Sequence, residues 1–215
     1  MKLSKAVDLL LSAKSKRKGI DKDTKNDIKR LEKDGNFDKD MLSNAYHLEI
    51  TGEAILGMKE NDFFDPKKIG RLFLESAINL SKDNLQFDIY ESVIKTSYRE
   101  YGDSSYGGLG DKKWALELLD FALKNIEMVG ADLLQLAYFM NSEVGDREKA
   151  KELALQAVTK ASNKGQISDI VDFLAFTLDE VDISKKILED AKNNNNIPYY
   201  NDDKSDLDWI SNELK

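Results

Sequence analysis

At 215 residues the chain is long enough to bury a core without staples, and its lack of cysteine excludes a disulfide framework and thiolate chemistry while leaving the compartment open. Apolar residues make up 41% and charged residues 33%, with only 2 Pro and 12 Gly, a mixture too apolar for disorder and suited to amphipathic helices. The net charge is −8, yet residues 1–35 carry 11 basic and 6 acidic side chains against 21 and 34 in the remainder, so an acidic body that repels phosphate backbones follows a basic entry segment.

In chain order, Met1 to Leu11 breaks its apolar run with Asp8 and shows neither a secretory core nor a cleavage site. No stretch approaches the ~20 apolar residues of a membrane span. A cytoplasmic protein with no membrane and no nucleic-acid partner is expected. Residues 1–36 read as one or two divergent capping helices, with Ala6, Leu9, Leu10, Ile28 and Leu31 as buried candidates. Lys14-Ser15-Lys16-Arg17-Lys18 within them reads as a solvated charged face. Asp21 to Glu32 places acids at the first, third, seventh and twelfth positions of a calcium loop. However, Lys25 puts a positive charge at a ligand position and Asn26 replaces the turn glycine, so a charged helix entry is the better reading.

Self-similarity is the most informative signal. Gly110 to Ala122 reappears as Gly145 to Ala157, an offset of 35 residues. A small residue followed seven positions later by alanine marks the same helix four times: Gly70/Ala77, Ala115/Ala122, Ala150/Ala157 and Ser184/Ala191. Seven residues is two helical turns, so each pair forms one stripe that a neighbouring helix can approach closely, widened by Leu74, Leu119, Ala154 and Leu188. Asp65-Pro66, Asp111 and Asp146 are start signals, each able to cap free helix amides. Between these helices lies a second set, in which Ala131 to Val144 matches Ser168 to Val181 at an offset of 37 and Asp88 to Tyr101 is a looser copy. The expected paired units are 40–81, 85–126, 131–163 and 167–193. An asparagine-rich loop follows, then a short helix from Ser205 to Leu214 that folds back through Leu207, Ile210 and Leu214, with Trp209 available to pin it.

From Asp65 to Ala191 these residues resemble the tetratricopeptide-like repeats, and in particular their Sel-one-like subclass. The best stretch is Tyr98 to Ala122, where a tyrosine-bearing helix end leads through Gly107-Gly108-Leu109-Gly110-Asp111 into Lys113, Ala115 and Ala122. The chain departs from the pattern where the first-helix small residue is irregular and the later units lack the glycine loop. The resemblance implies a curved stack whose concave face, lined by the first helix of each pair, engages a protein or peptide. It carries over no catalytic residues.

The expected fold is therefore all-α: an α-α superhelix, a single solenoid domain over 1–215 with divergent termini at 1–36 and 194–215 and about four repeats over 40–193. Candidate chemistry is sparse. His47 is the sole histidine, which rules out multi-histidine metal sites, and it reads as a surface or boundary residue. Gly107 to Gly110 lacks the lysine and hydroxyl of a phosphate loop. No catalytic, cofactor-binding or metal residue is assigned. Tyr90, Tyr98 and Tyr138 on first helices are the candidate partner-binding residues, because tyrosine is a favoured interface anchor, although aromatics also dominate cores. Trp114 and Phe121 on second helices read as core. The expected function is a non-catalytic protein-interaction module. An acidic neutraliser of a basic protein is the second reading, and an enzyme the third.

Overall fold

Three aspartates start helices in the way their sequence positions require. Asp65 Oδ1 accepts from the amides of Lys67 and Lys68 at 2.9 and 3.3 Å, Asp111 Oδ1 from Trp114 at 3.0 Å, and Asp146 Oδ1 from Lys149 at 2.9 Å. Each satisfies amides that a helix leaves open, a contribution of about 1 kcal/mol apiece. Pro66 occupies the first turn after Asp65, where its missing N–H costs nothing.

The computed structural model describes residues 45–57, 65–82, 85–100, 107–194, 196–199 and 203–214. The capping helices of 1–36, the Lys14 to Lys18 run and the calcium-like stretch of Asp21 to Glu32 lie outside them, as does the His47 side chain. Among the described residues there are nine α-helices and no strand: α1 (Ala45–Leu56), α2 (Pro66–Ser81), α3 (Phe87–Tyr98), α4 (Lys112–Asn125), α5 (Gly130–Phe139), α6 (Arg147–Lys160), α7 (Lys164–Asp172), α8 (Val181–Asn193) and α9 (Asp203–Glu213). The chain divides at residue 126 into two units. In the first, α1 pairs with α2 and α3 with α4. In the second, α5 pairs with α6 and α7 with α8, and α9 packs on α7. Within each unit the first helices of the two hairpins also touch, α1 against α3 and α5 against α7. The chain is thus all-helical and built by helix-on-helix packing.

The small-residue stripe holds at every position. Gly70, Ala77, Ala115, Ala122, Ala150, Ala157, Ser184 and Ala191 are buried, as are Leu74, Leu119, Ala154 and Leu188. The glycine loop of the first unit is equally constrained. A Cβ on Gly107 would sit 2.0 Å from the Leu56 carbonyl carbon, and one on Gly108 2.1 Å from the Arg99 oxygen. The loop is tied down by the amide of Leu109 donating to Thr96 O at 2.9 Å and that of Gly110 to Arg99 O at 2.8 Å. Only residues without side chains let the segment lie that close to the ends of α1 and α3.

Two expectations are corrected. The first helices of the second unit repeat at 34 residues, not 37. Both α5 and α7 end in a π-helical turn, Met140–Val144 and Phe173–Thr177. The amide of Asp146 donates to Met140 O at 2.9 Å and that of Glu180 to Leu174 O at 2.8 Å, each pair of equivalents 34 apart. A three-residue error is close to one helical turn and keeps the apolar face in place, which is why the wrong offset matches so well. Second, Trp114 and Phe121 are not core. Trp114 is half-buried beneath the Arg71 guanidinium, 4.6 Å from its ring centre, and Phe121 is 38% exposed while stacking on Tyr90 at 5.7 Å. Seven-residue spacing places them on one stripe, but the stripe lies at the edge of the buried face.

The terminal segment folds back as its pattern requires. Leu207, Ile210 and Leu214 join Ile167, Val171, Ala175, Leu188 and Ala191 in one buried cluster. The preceding loop is fastened to the start of α7, where the Lys164 amide donates to Pro198 O at 3.0 Å and its ammonium lies 4.0 Å from the Tyr199 ring centre. Trp209 does not pin the tail: it is 54% exposed, with its ring tilted against that of Phe176 at 6.3 Å.

Candidate functional site

The three tyrosines chosen from the sequence have three different fates. Tyr90 on α3 is fully buried, and burial raises its phenol above the ordinary range. It is a core residue of the first unit and presents no surface to a partner, which corrects its assignment as an anchor. The position lies on the face of α3 that also buries Ile89, Val93 and Ile94, so a large ring there is enclosed. Tyr98, two turns further on, is half-buried at the end of α3, with the Lys112 ammonium 5.3 Å from its ring centre. Tyr138 on α5 of the second unit is 41% exposed.

Tyr138 stands on the wall of a cleft of about 180 Å³ between α5 and α7. Leu134, Gln135 and Tyr138 line one side and Gln166, Asp169 and Ile170 the other, with Gly130 and Ala131 at the start of α5 completing it. The spacing on each helix is the three-and-four step of one face, so the cleft is the furrow between two adjacent helix ridges. Gly130 lets α5 begin close to α6, since a Cβ there would sit 2.9 Å from Ala157 O. The start of α5 is fixed by Asp132, whose carboxylate accepts from the Val129 amide at 3.0 Å.

The Tyr138 ring meets Phe173 edge-on, with centres 4.4 Å apart, which holds the phenol in place beside the cleft. Its pKa is raised by burial and by the negative charges of Asp172 and Asp169 on α7. Asp172 is itself half-buried, and burial raises its carboxyl above the usual carboxylate range. None of the described residues lining the cleft is basic. The furrow therefore combines an aromatic wall, amide groups and carboxylate charge.

Sequence reasoning missed Gln135, Gln166 and Asp169. The signal for them was the face of α5 that contains Tyr138, read against α7 at an offset of 34 in place of 37. It also missed an acidic pair in the first unit, where the buried Glu49 and the half-buried Glu53 on α1 accept from Ser92 and Thr96 on α3. Burial is the main force on Glu49; against the opposing Ser92 hydrogen bond and with the Glu53 charge adding to it, its carboxyl is raised to about 7. Among the described residues, no group of three or more His, Asp or Glu is placed to hold a metal ion, and no helix is long and apolar enough to cross a membrane.

Compared with protein-family models, with curated proteins and with solved structures, the chain matches none.

Proposed function

We propose that this chain is a non-catalytic protein-interaction module of the tetratricopeptide-like class, working in the cytoplasm, with a protein or peptide segment seated in the α5–α7 furrow. The single observation that carries the reading is the exposed Tyr138 ring on the wall of that furrow. Large aromatics held rigid beside a concavity are the side chains that anchor partners, because they contribute much contact area for little lost freedom. The 34-residue spacing of the helix caps, Val129 to Asn163 and Asp146 to Glu180, supports the repeat class, for which that period is characteristic. A superhelical stack with its first helices on the concave side follows from the class.

A second reading, the neutraliser of a basic protein, draws on the net charge of −8 and on the Asp169 and Asp172 charges beside Tyr138. One-to-one complex formation with loss of the partner's activity separates it from a scaffold. The test of the shared element is affinity capture from native lysate by the wild type and by Tyr138→Ala, with both shown to be folded by circular dichroism. Partners held by the wild type and lost by the variant are expected, with binding weakened about tenfold or more. Equal recovery would remove the furrow from the binding surface.

A further inference from the structure

We infer that Phe176 and Trp209 of the second unit form a docking patch for a basic segment of a partner protein, which seats an apolar side chain on the two rings and flanks it with lysine or arginine. The inference rests on the reading of the chain as an interaction module and not on the α5–α7 furrow. Phe176 lies in the π-helical turn that ends α7 and Trp209 on α9, and their ring centres are 6.3 Å apart although the residues are 51% and 54% exposed. Single apolar side chains on a surface are ordinary. Two large rings side by side, each more than half open to water, form a patch that gains by being covered. Leu207, Ile210 and Leu214 supply the packing of α9, so the fold makes little use of the indole.

Charge decides what covers the patch. Asp206, Trp209 and Glu213 stand three and four positions apart on α9, one exposed stripe with a carboxylate on either side of the indole. Asp172 lies four positions before Phe176 at the end of α7 and is half-buried. None of Asp172, Asp206 and Glu213 makes a hydrogen bond or an ion pair among the described residues. Lys192, the basic side chain that α8 brings to α9, is taken by Asp208 at 3.3 Å. A half-buried carboxylate without a partner is poorly solvated, and a cation that arrives beside an apolar side chain satisfies it while the rings are covered. The rings thus supply contact area and the carboxylates select the sign of the partner. An acidic segment, a nucleic acid or an anionic lipid surface would meet the same carboxylates as repulsion.

The test is an NMR titration of the full chain with labelled indole groups, the Trp209 signal assigned by Trp209→Phe and Trp114 of the first unit serving as the control. The probes are synthetic peptides of equal length built from lysine and leucine, from glutamate and leucine, and from lysine and serine. The Trp209 signal is expected to shift saturably with the lysine–leucine peptide, at a concentration about tenfold lower than with lysine–serine, and not to shift with glutamate–leucine. Phe176→Ala should weaken the lysine–leucine titration about tenfold. Combining Asp172→Asn, Asp206→Asn and Glu213→Gln should weaken it at least as much and remove its salt dependence, with the fold retained by circular dichroism. Equal response to the glutamate peptide, a Trp114 shift at the same concentrations, no Trp209 response, or a response untouched by both variants would each overturn the inference. If Trp209 does not respond while partner capture depends on Tyr138, the patch falls and the furrow stands; if Trp209 responds and capture is independent of Tyr138, the furrow falls and the patch stands.

Discussion

Gly145 and Asp179 occupy the same left-handed backbone position in successive repeats, at φ 78° and 56°. Each follows the π-helical turn that ends a first helix and precedes the N-cap of the second, so each reverses the chain within its hairpin. Glycine takes this conformation freely, whereas a side chain with a Cβ is strained there, aspartate less than most.

The two positions should therefore respond in opposite directions. Gly145→Ala is expected to lower unfolding stability by about 1 kcal/mol even though open space surrounds the new methyl group, because the cost lies in the backbone. Asp179→Gly is expected to be neutral or stabilising by a few tenths of a kcal/mol. Urea denaturation of both variants checks this; a stable Gly145→Ala would mean that the turn is reached by another backbone path.

The acidic pair of the first unit makes a pH prediction. In the unfolded chain Glu49 titrates near 4.5, and in the folded protein near 7, so between those values the fold holds a proton that the unfolded chain has released. Stability must fall as pH rises across that window and level off above it, a loss of at most about 3 kcal/mol. Glu49→Gln keeps the shape, cannot ionise, and should flatten the profile, melting higher than the wild type at pH 8 and close to it at pH 5. Parallel melting curves from pH 5 to 8 would show that Glu49 is solvated in the fold.

The terminal helix separates apolar burial from aromatic size. Leu207 is buried within the α7–α8–α9 cluster, while Trp209 is more than half exposed. Leu207→Ala should cost about 2–5 kcal/mol by leaving a cavity, and Trp209→Ala within about 0.5 kcal/mol of nothing. Thermal unfolding read by far-ultraviolet circular dichroism measures both. A larger loss for Trp209→Ala would place its ring against more of the protein than Phe176.

Much of this architecture was legible because it is local. A cap needs an aspartate and the amides two or three residues on, and a close helix contact needs small residues two turns apart. Asp65, Asp111, Asp146 and the four small-residue pairs therefore stood out in one dimension and hold in three. The apolar face of the last helix was readable for the same reason.

Where two segments meet is a different kind of information. A helix face nearly repeats after three or four residues, so matching α5 to α7 by apolar pattern alone left a slip of about one turn, and only the paired hydrogen bonds to Met140 and Leu174 set the offset at 34. Tyr90, Tyr98 and Tyr138 are alike in one dimension, each a tyrosine on a first helix. Packing of α3 enclosed the first and left the second half-buried, and the furrow between α5 and α7 exposed the third. The amino-acid sequence determined which helices form, where they start and which stripes they bury; tertiary structure alone decided which aromatic faces water, because exposure depends on neighbours that are distant along the chain.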